Sequence, residues 1–334
     1  MKLVGLALFL GLVLAAPTGQ DLTPVGEPVH DLAFQTVLGG DGRVRPSEFR
    51  GQPVLIVWYS TVFAGMSAAR IAVDLDAKHA KDGLVVFLME IKNNDATYLR
   101  ALQMAKLPGV TCPLIRNQEL RVEFDASTGF PPKMVLVGVD GTLLYAGSYQ
   151  RASEVKKLLK KELKKVKGGW GEDPVAKKAR ALAHGKQRLG AAWVLLQPGL
   201  DGDGASEELR AVARVIRTRF DTWKRSVGHL AKQGEPGRAL AAAQGLVLAS
   251  EGNDEWVAAA AELVASFETP EAARELELGK KLEALLKPLR SKGPKKGFDR
   301  KLRSFADGAA SGTPVGERAA RLADAVAFAL EEKL

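Results

Sequence analysis

Three apolar runs constrain this chain more than any other feature. Val54-Leu-Ile-Val-Trp58, Leu84-Val-Val-Phe-Leu-Met89 and Met134-Val-Leu-Val-Gly138 are continuous rather than alternating. A strand with one wet face alternates apolar and polar residues, whereas a strand covered on both faces does not. Helix-patterned stretches near Met66–His79 and Ala96–Lys106 lie between the runs, and strands alternating with helices predict an α/β domain with a largely parallel sheet. Asp140-Gly141, between Val135–Val139 and Leu143–Ala146, predicts a tight hairpin. Ser153–Lys167 predicts an amphipathic helix with Val155, Leu158, Leu159, Leu163 and Val166 on one face and seven lysines around the rest.

Beyond residue 172 the composition changes to Ala, Leu, Glu, Arg and Lys with almost no strand patterning, which predicts an all-α domain. Gly168-Gly169-Trp170-Gly171 reads as a flexible break. The expected organisation is therefore an α/β domain over 16–167, a linker at 168–172 and a helical domain over 173–334. Asp173-Pro174, Thr269-Pro270 and Thr313-Pro314 each place an N-cap residue before a proline, and Ser206 precedes Glu207-Glu208. Pro198-Gly199, Gly234, Gly252 and Pro288 read as stops, so about six or seven helices are expected. Pro236, Pro270 and Pro314 open alanine-rich helices at spacings that resemble degenerate tetratricopeptide-like repeats; a plain helical bundle accounts for the same pattern.

Met1-Lys2, the apolar run Leu3–Ala15 and the polar turn after it read as a secretory signal peptide over residues 1–15, cleaved after Ala15. A periplasmic or extracellular protein is expected. The formal charge is +9, and there is one cysteine, Cys112, which excludes an internal disulfide and a cysteine-built zinc cluster. His30, His79, His184 and His229 show no paired metal-ligand spacing and no Ser-His-acid order, so no metal and no cofactor is expected. Asp201-Gly-Asp203-Gly lacks the continuation of a calcium loop, and Gly39-Gly-Asp-Gly42 lacks the Lys-Ser/Thr of a phosphate loop.

Residues 24–167 together resemble the thioredoxin-like fold, in particular the TlpA/ResA-type (AhpC/TSA-like) branch of exported thiol–disulfide proteins. The residues that carry the resemblance are Gly26-Glu-Pro28 with Asp31-Leu-Ala-Phe34, Gly42-Arg-Val44 with Ser47-Glu-Phe49-Arg50-Gly51, the Pro53–Trp58 strand, and Gly129-Phe-Pro-Pro132 followed by Met134–Val139 and Asp140-Gly141. The resemblance implies that Pro132 follows a cis peptide bond from Pro131. It also implies that the family's two cysteines would fall at Val62 and Gly65 of the stretch Trp58-Tyr-Ser-Thr-Val-Phe-Ala-Gly65. Neither residue can attack sulfur, and no cysteine precedes Cys112 in the chain, so dithiol exchange is excluded by inventory. The same resemblance implies a peptide-receiving groove, for which Trp58, Thr61, Val62, Phe63, Pro131 and Pro132 are the candidates.

Cys112 precedes Pro113-Leu-Ile115, a strand-like segment, and is read either as a packed, inert residue or as a reactive thiol. Lys156–Lys167 is read either as the solvated face of a docked helix or as a surface for anionic envelope lipid. The stretch has no aromatic residue, which speaks against nucleic acid. Three functions follow: an exported, non-catalytic module binding another protein or an extended peptide; a redox protein working through Cys112; or an unrelated enzyme on the same scaffold, for which no catalytic residues are found.

Overall fold

The computed structural model describes residues 23–31, 33–34, 36–59, 65–90, 95–106, 112–116, 133–201 and 205–334; the expected signal peptide lies outside them. Strands β1 (Thr36–Leu38), β2 (Val54–Tyr59), β3 (Val85–Glu90), β4 (Leu114–Arg116), β5 (Lys133–Val137) and β6 (Leu143–Ser148) form one sheet in the order β1-β4-β3-β2-β5-β6. β3 is parallel to β2 and β4, but β5 is antiparallel to β2 and β6, and β1 is antiparallel to β4. The sheet is mixed, which corrects the expectation of a largely parallel one. Connection length sets two of the pairings: α1 (Gly65–His79) supplies the crossover that parallel β2 and β3 need, whereas the two-residue turn between β5 and β6 joins only antiparallel strands. That turn is Asp140-Gly141, with Gly141 at φ 80° and its N–H donating to the Gly138 carbonyl at 2.9 Å.

The parallel β2-α1-β3 unit, the antiparallel β5-β6 hairpin and a closing helix give a thioredoxin-like α/β arrangement. Side chains alternate along each strand. Leu55, Val57, Tyr59, Val86, Leu88, Leu114, Met134 and Leu136 pack under α1, α2 (Ala96–Lys106) and α3 (Ala152–Gly168). Val54, Ile56, Trp58, Phe87, Met89, Ile115, Val135 and Val137 pack under Val29, Phe34 and Phe49 of the amino-terminal segment. That segment is tied down locally: Gly26 N–H donates to the Leu143 carbonyl, and Ser47 donates to the Asp31 carboxylate from both its N–H and its hydroxyl. In α3, Val155, Leu159, Leu163 and Val166 of the apolar stripe are buried and Leu158 is half-buried, and Glu162 lies on the same face, nearly inaccessible, accepting from the Val139 N–H at 2.9 Å and from Lys165 Nζ at 2.7 Å.

Among the described residues eight α-helices follow, more than the six or seven expected: α4 (Pro174–Arg180), α5 (Leu189–Leu200), α6 (Glu207–Lys232), α7 (Pro236–Ser250), α8 (Asp254–Ala265), α9 (Pro270–Lys292), α10 (Phe298–Asp307) and α11 (Pro314–Glu331). The caps form where the sequence places them, with Asp173, Ser206, Thr269 and Thr313 each accepting from N–H groups of the first turn. Two expected stops are not stops. Pro198 sits within the last turn of α5 and Pro288 inside α9, which continues to Lys292. Leu286 and Leu289 are buried on either side of Pro288, and this packing outweighs one missing N–H donor near the helix end.

The two halves are packed together, and the 168–172 stretch between them is held, contrary to the free break its glycines suggest. Arg180 donates to the Trp170 carbonyl at 2.6 Å, lies over the Trp170 ring and pairs with Glu208. Trp170 in turn packs on His184 at 5.5 Å between ring centroids. His184 sits against Gly51 of the α/β half, where an added Cβ would lie 2.0 Å from Cε1 of the imidazole. Arg225 bridges to Glu48 at 2.8 Å, His229 packs on Gly42, and Ala101 of α2 meets Ala325 and Ala329 of α11. Alanines at that crossing let the two helix backbones approach closely.

His184 is buried, accepts a hydrogen bond from Arg219 at Nδ1, and is held well below the usual histidine range by burial first, then by Arg219 and Arg180. Burial also pulls the Arg219 guanidinium down to about 10, a value at which it remains charged at neutral pH. Two outcomes are expected. Gly51→Ala, which combines a left-handed backbone (φ 91°) with a clash against a packed ring, lowers stability by about 2–4 kcal/mol in urea titrations. The neutral folded His184 also makes stability fall as pH drops below the unfolded value near 6.5, since only the unfolded chain then takes up the proton. The slope from this group is at most about 1.4 kcal/mol per pH unit, and urea titrations across pH should show it lost in His184→Gln.

Candidate functional site at the strand ends

In an open α/β sheet, binding collects beyond the carboxyl ends of the parallel strands. Here that rim is built from Trp58 and Tyr59 of β2 and from Met89 and Glu90 of β3, side by side in register. α1 begins at Gly65, and α2 begins beyond Asp95, whose carboxylate accepts from the Tyr98 N–H at 2.9 Å. Parallel neighbours face the same way, so Tyr59 and Glu90 share the helix-covered side while Trp58 and Met89 share the other.

The chemistry of the described part of the rim is that of hydrogen bonding rather than nucleophilic attack. Tyr59 is fully buried, and burial, reinforced by the Glu90 carboxylate and then by Tyr98, pushes its hydroxyl well above the ordinary phenol range. It is a neutral donor at physiological pH. Among the described residues its hydroxyl has no hydrogen-bond partner, a state that costs about 1–3 kcal/mol for a buried group. Glu90, 2% exposed, is a carboxylate placed at the end of an otherwise apolar strand. The Tyr98 ring meets Phe328 of α11 edge-on at 6.1 Å, so the helical half reaches the helix that flanks this rim.

Of the groove candidates, Trp58 is described. Its indole is buried beneath the rim, in the apolar layer with Phe87 and Met89. Thr61, Val62, Phe63, Pro131 and Pro132 lie outside the described residues, and so does the proposed cis bond. Gly65 is the first residue of α1. Sequence reading passed over Tyr59 and Glu90. The available signal was a carboxylate directly after the apolar run Leu84–Met89, where a strand buried on both faces leaves no place for an unassisted charge.

Cys112 is elsewhere. It precedes β4, whose Leu114 pairs with Leu88, and its thiol is hydrogen-bonded to Asp76 in the last turns of α1. Asp76 lies eleven positions along the helix from Gly65, a rise of about 16 Å. The side chain is 2% exposed, and burial, then the Asp76 carboxylate, drives its pKa far above the ordinary thiol range. An attacking thiolate needs the opposite surroundings: exposure and positive charge. No group of three or more His, Cys, Asp or Glu side chains suited to a metal ion occurs among the described residues. No helix among them is long and apolar enough to cross a membrane.

No protein-family model matches the chain, and no curated protein does. Among solved structures, the chain is similar to a thioredoxin-like superfamily protein at 14% identity, covering 44% of this chain and 99% of that one, with a TM-score of 0.36. It is similar to a thiol:disulfide interchange protein of the thioredoxin family from Chlorobium tepidum at 15% identity, over 43% and 99% of the two chains, with a TM-score of 0.32. It is also similar to the mitochondrial 2-Cys peroxiredoxin of Plasmodium falciparum at 12% identity, over 45% and 100%, with a TM-score of 0.34. Likenesses at this level carry no inference about chemistry, and the fold assignment stands on strand order and connections.

The surroundings of Cys112 generate a direct expectation. A thiol-reactive dye should label the native protein at least about 100-fold more slowly than the urea-unfolded chain, because each unit of raised pKa removes a factor of ten in thiolate. Stopped-flow absorbance against denaturant measures the ratio.

Proposed function

We propose that this chain is an exported, non-catalytic thioredoxin-like module that binds another protein or an extended peptide at the strand-end groove, with the helical half as a second interaction surface. The observation that carries the reading is the state of its single thiol. Cys112 is buried, hydrogen-bonded to a carboxylate, and separated from the amino-terminal end of α1 by most of that helix. Peptide capture by backbone hydrogen bonds needs no cysteine. The neutral Tyr59 phenol supports binding at the rim and offers no nucleophile.

The domain limits at 15, 167 and 172, the signal peptide and the groove residues Thr61, Val62, Phe63, Pro131 and Pro132 are parts of this proposal. The exposed lysines of α3 are read within it as a solvated helix face. Insulin reduction and reduced-ribonuclease oxidation should match the buffer blank. Anisotropy should show that an alkylated, unfolded polypeptide binds wild type and Cys112→Ser equally. A double Val62→Cys, Gly65→Cys variant serves as the positive control for exchange chemistry. Disulfide turnover by the natural protein that Cys112→Ser abolishes would replace the binding module with a redox protein working through that thiol.

A further inference from the structure

Several arginines of the helical half are held in ion pairs. Arg180 pairs with Glu208, Arg318 with Glu235 and Glu283, Arg238 with Glu235, Arg290 with Glu283 and Arg303 with Asp324. One region departs from this pattern. Between Lys287 and Lys301 the chain carries, besides the paired Arg290, Lys287, Lys292, Lys295, Lys296, Arg300 and Lys301, all exposed and none in an ion pair among the described residues, with Asp299 as the single acid of the stretch. They run from the end of α9 through the turn into α10. Like charges crowded within about a Debye length repel, and an anionic occupant relieves that repulsion.

The same region holds an open cleft of about 680 Å³ between α9 and α10. Lys296, Arg300 and Lys301 stand on its rim with the Ser304 hydroxyl, and half-buried Leu285 and Phe305 form its apolar floor. The cleft is wide and open to solvent, a surface that suits a segment laid across it rather than an enclosed small ligand. Its shape separates the anionic partners it could take. A membrane-surface helix presents apolar residues outward past its lysines. Here the cations are exposed and the apolar Leu285 and Phe305 beside them are half-buried, the reverse of that order. An acidic peptide with one apolar side chain between its carboxylates meets both features, with charges at the rim and an anchor on the floor.

We infer that the cleft between α9 and α10 docks an acidic segment of a partner protein, its carboxylates on Lys296, Arg300 and Lys301 and one apolar side chain on Leu285 and Phe305. This deepens the reading of the chain as a binding module, and rests on it, at a surface separate from the strand-end groove.

The test uses the full chain and a fluorescein-labelled glutamate-rich peptide with one central leucine, followed by anisotropy. Saturable binding that weakens with added salt is expected. Lys296→Glu, Arg300→Glu and Lys301→Glu combined should raise Kd by about tenfold or more, while Lys156→Glu, Lys160→Glu and Lys164→Glu combined, the same charge change on α3, should leave it within about twofold. A peptide with serine in place of leucine should bind more weakly. Equal loss in both triple variants would reduce the effect to net charge and overturn the proposal. So would binding of phosphatidylglycerol vesicles or a DNA oligonucleotide through these residues with no peptide binding. Circular dichroism confirms that the variants fold. Disulfide turnover, assayed on the same proteins, separates the two readings: turnover lost in Cys112→Ser removes the parent reading, whereas loss of peptide binding alone removes only this one.

Discussion

Every residue from Val54 to Tyr59 is buried, and the remainder of the α/β half is arranged around that requirement. A strand covered along its whole length needs a ladder on each edge and an apolar layer on each face. β3 and β5 supply the edges, in opposite directions. α1, α2 and α3 supply one face, and the amino-terminal segment with Phe34 and Phe49 supplies the other. The second covering has little regular structure of its own, so its hydrogen bonds run to the β5-β6 hairpin and between Asp31 and Ser47 instead.

The same economy governs the junction between the halves. A histidine pressed against a glycine, an arginine donating to that histidine and a tryptophan packed on the ring make a contact in which no member is free to move alone. The imidazole stays neutral because burial penalises its charge and a third cation beside Arg219 and Arg180 would be repelled. Together with the alanine crossing of α2 and α11 and the Arg225–Glu48 bridge, the junction fixes the helical half against both the 3₁₀ turn Pro46–Phe49 and the helix that flanks the strand ends. Whatever binds at the rim or at the helical half therefore acts on a coupled body.

The two ends of the sheet have opposite chemical characters. At the carboxyl ends of β2 and β3 a phenol and a carboxylate stand side by side, polar groups retained where burial penalises them. At the other end the single thiol is sunk among apolar groups beside Asp76. A fold of this kind concentrates its chemistry at the first end, and the chain keeps its only sulfur nucleophile at the second. That separation is the ground of the proposal that the chain serves recognition rather than exchange.

Much of this was legible from the residues alone, because it depends on short-range rules. Continuous apolar runs marked β2, β3 and β5, Asp140-Gly141 marked the hairpin, and Ser, Thr or Asp before a helix marked its start, each reflecting local sterics or a hydrogen bond spanning a few positions. Excluding dithiol chemistry needed only a count of cysteines. The direction of β5, the continuation of α9 through Pro288, the pinning of Trp170 and the neutral state of His184 were not legible, since each is decided by a partner distant in sequence. The roles of Tyr59 and Glu90 were hidden for the same reason: they become neighbours only when β2 and β3 pair in register. The sequence by itself determined which segments form strands and helices and that no thiol pair exists, because those follow from periodicity and inventory. Only the tertiary structure decided which groups lie together and which are buried, because burial and pairing belong to the packed chain and to no segment of it.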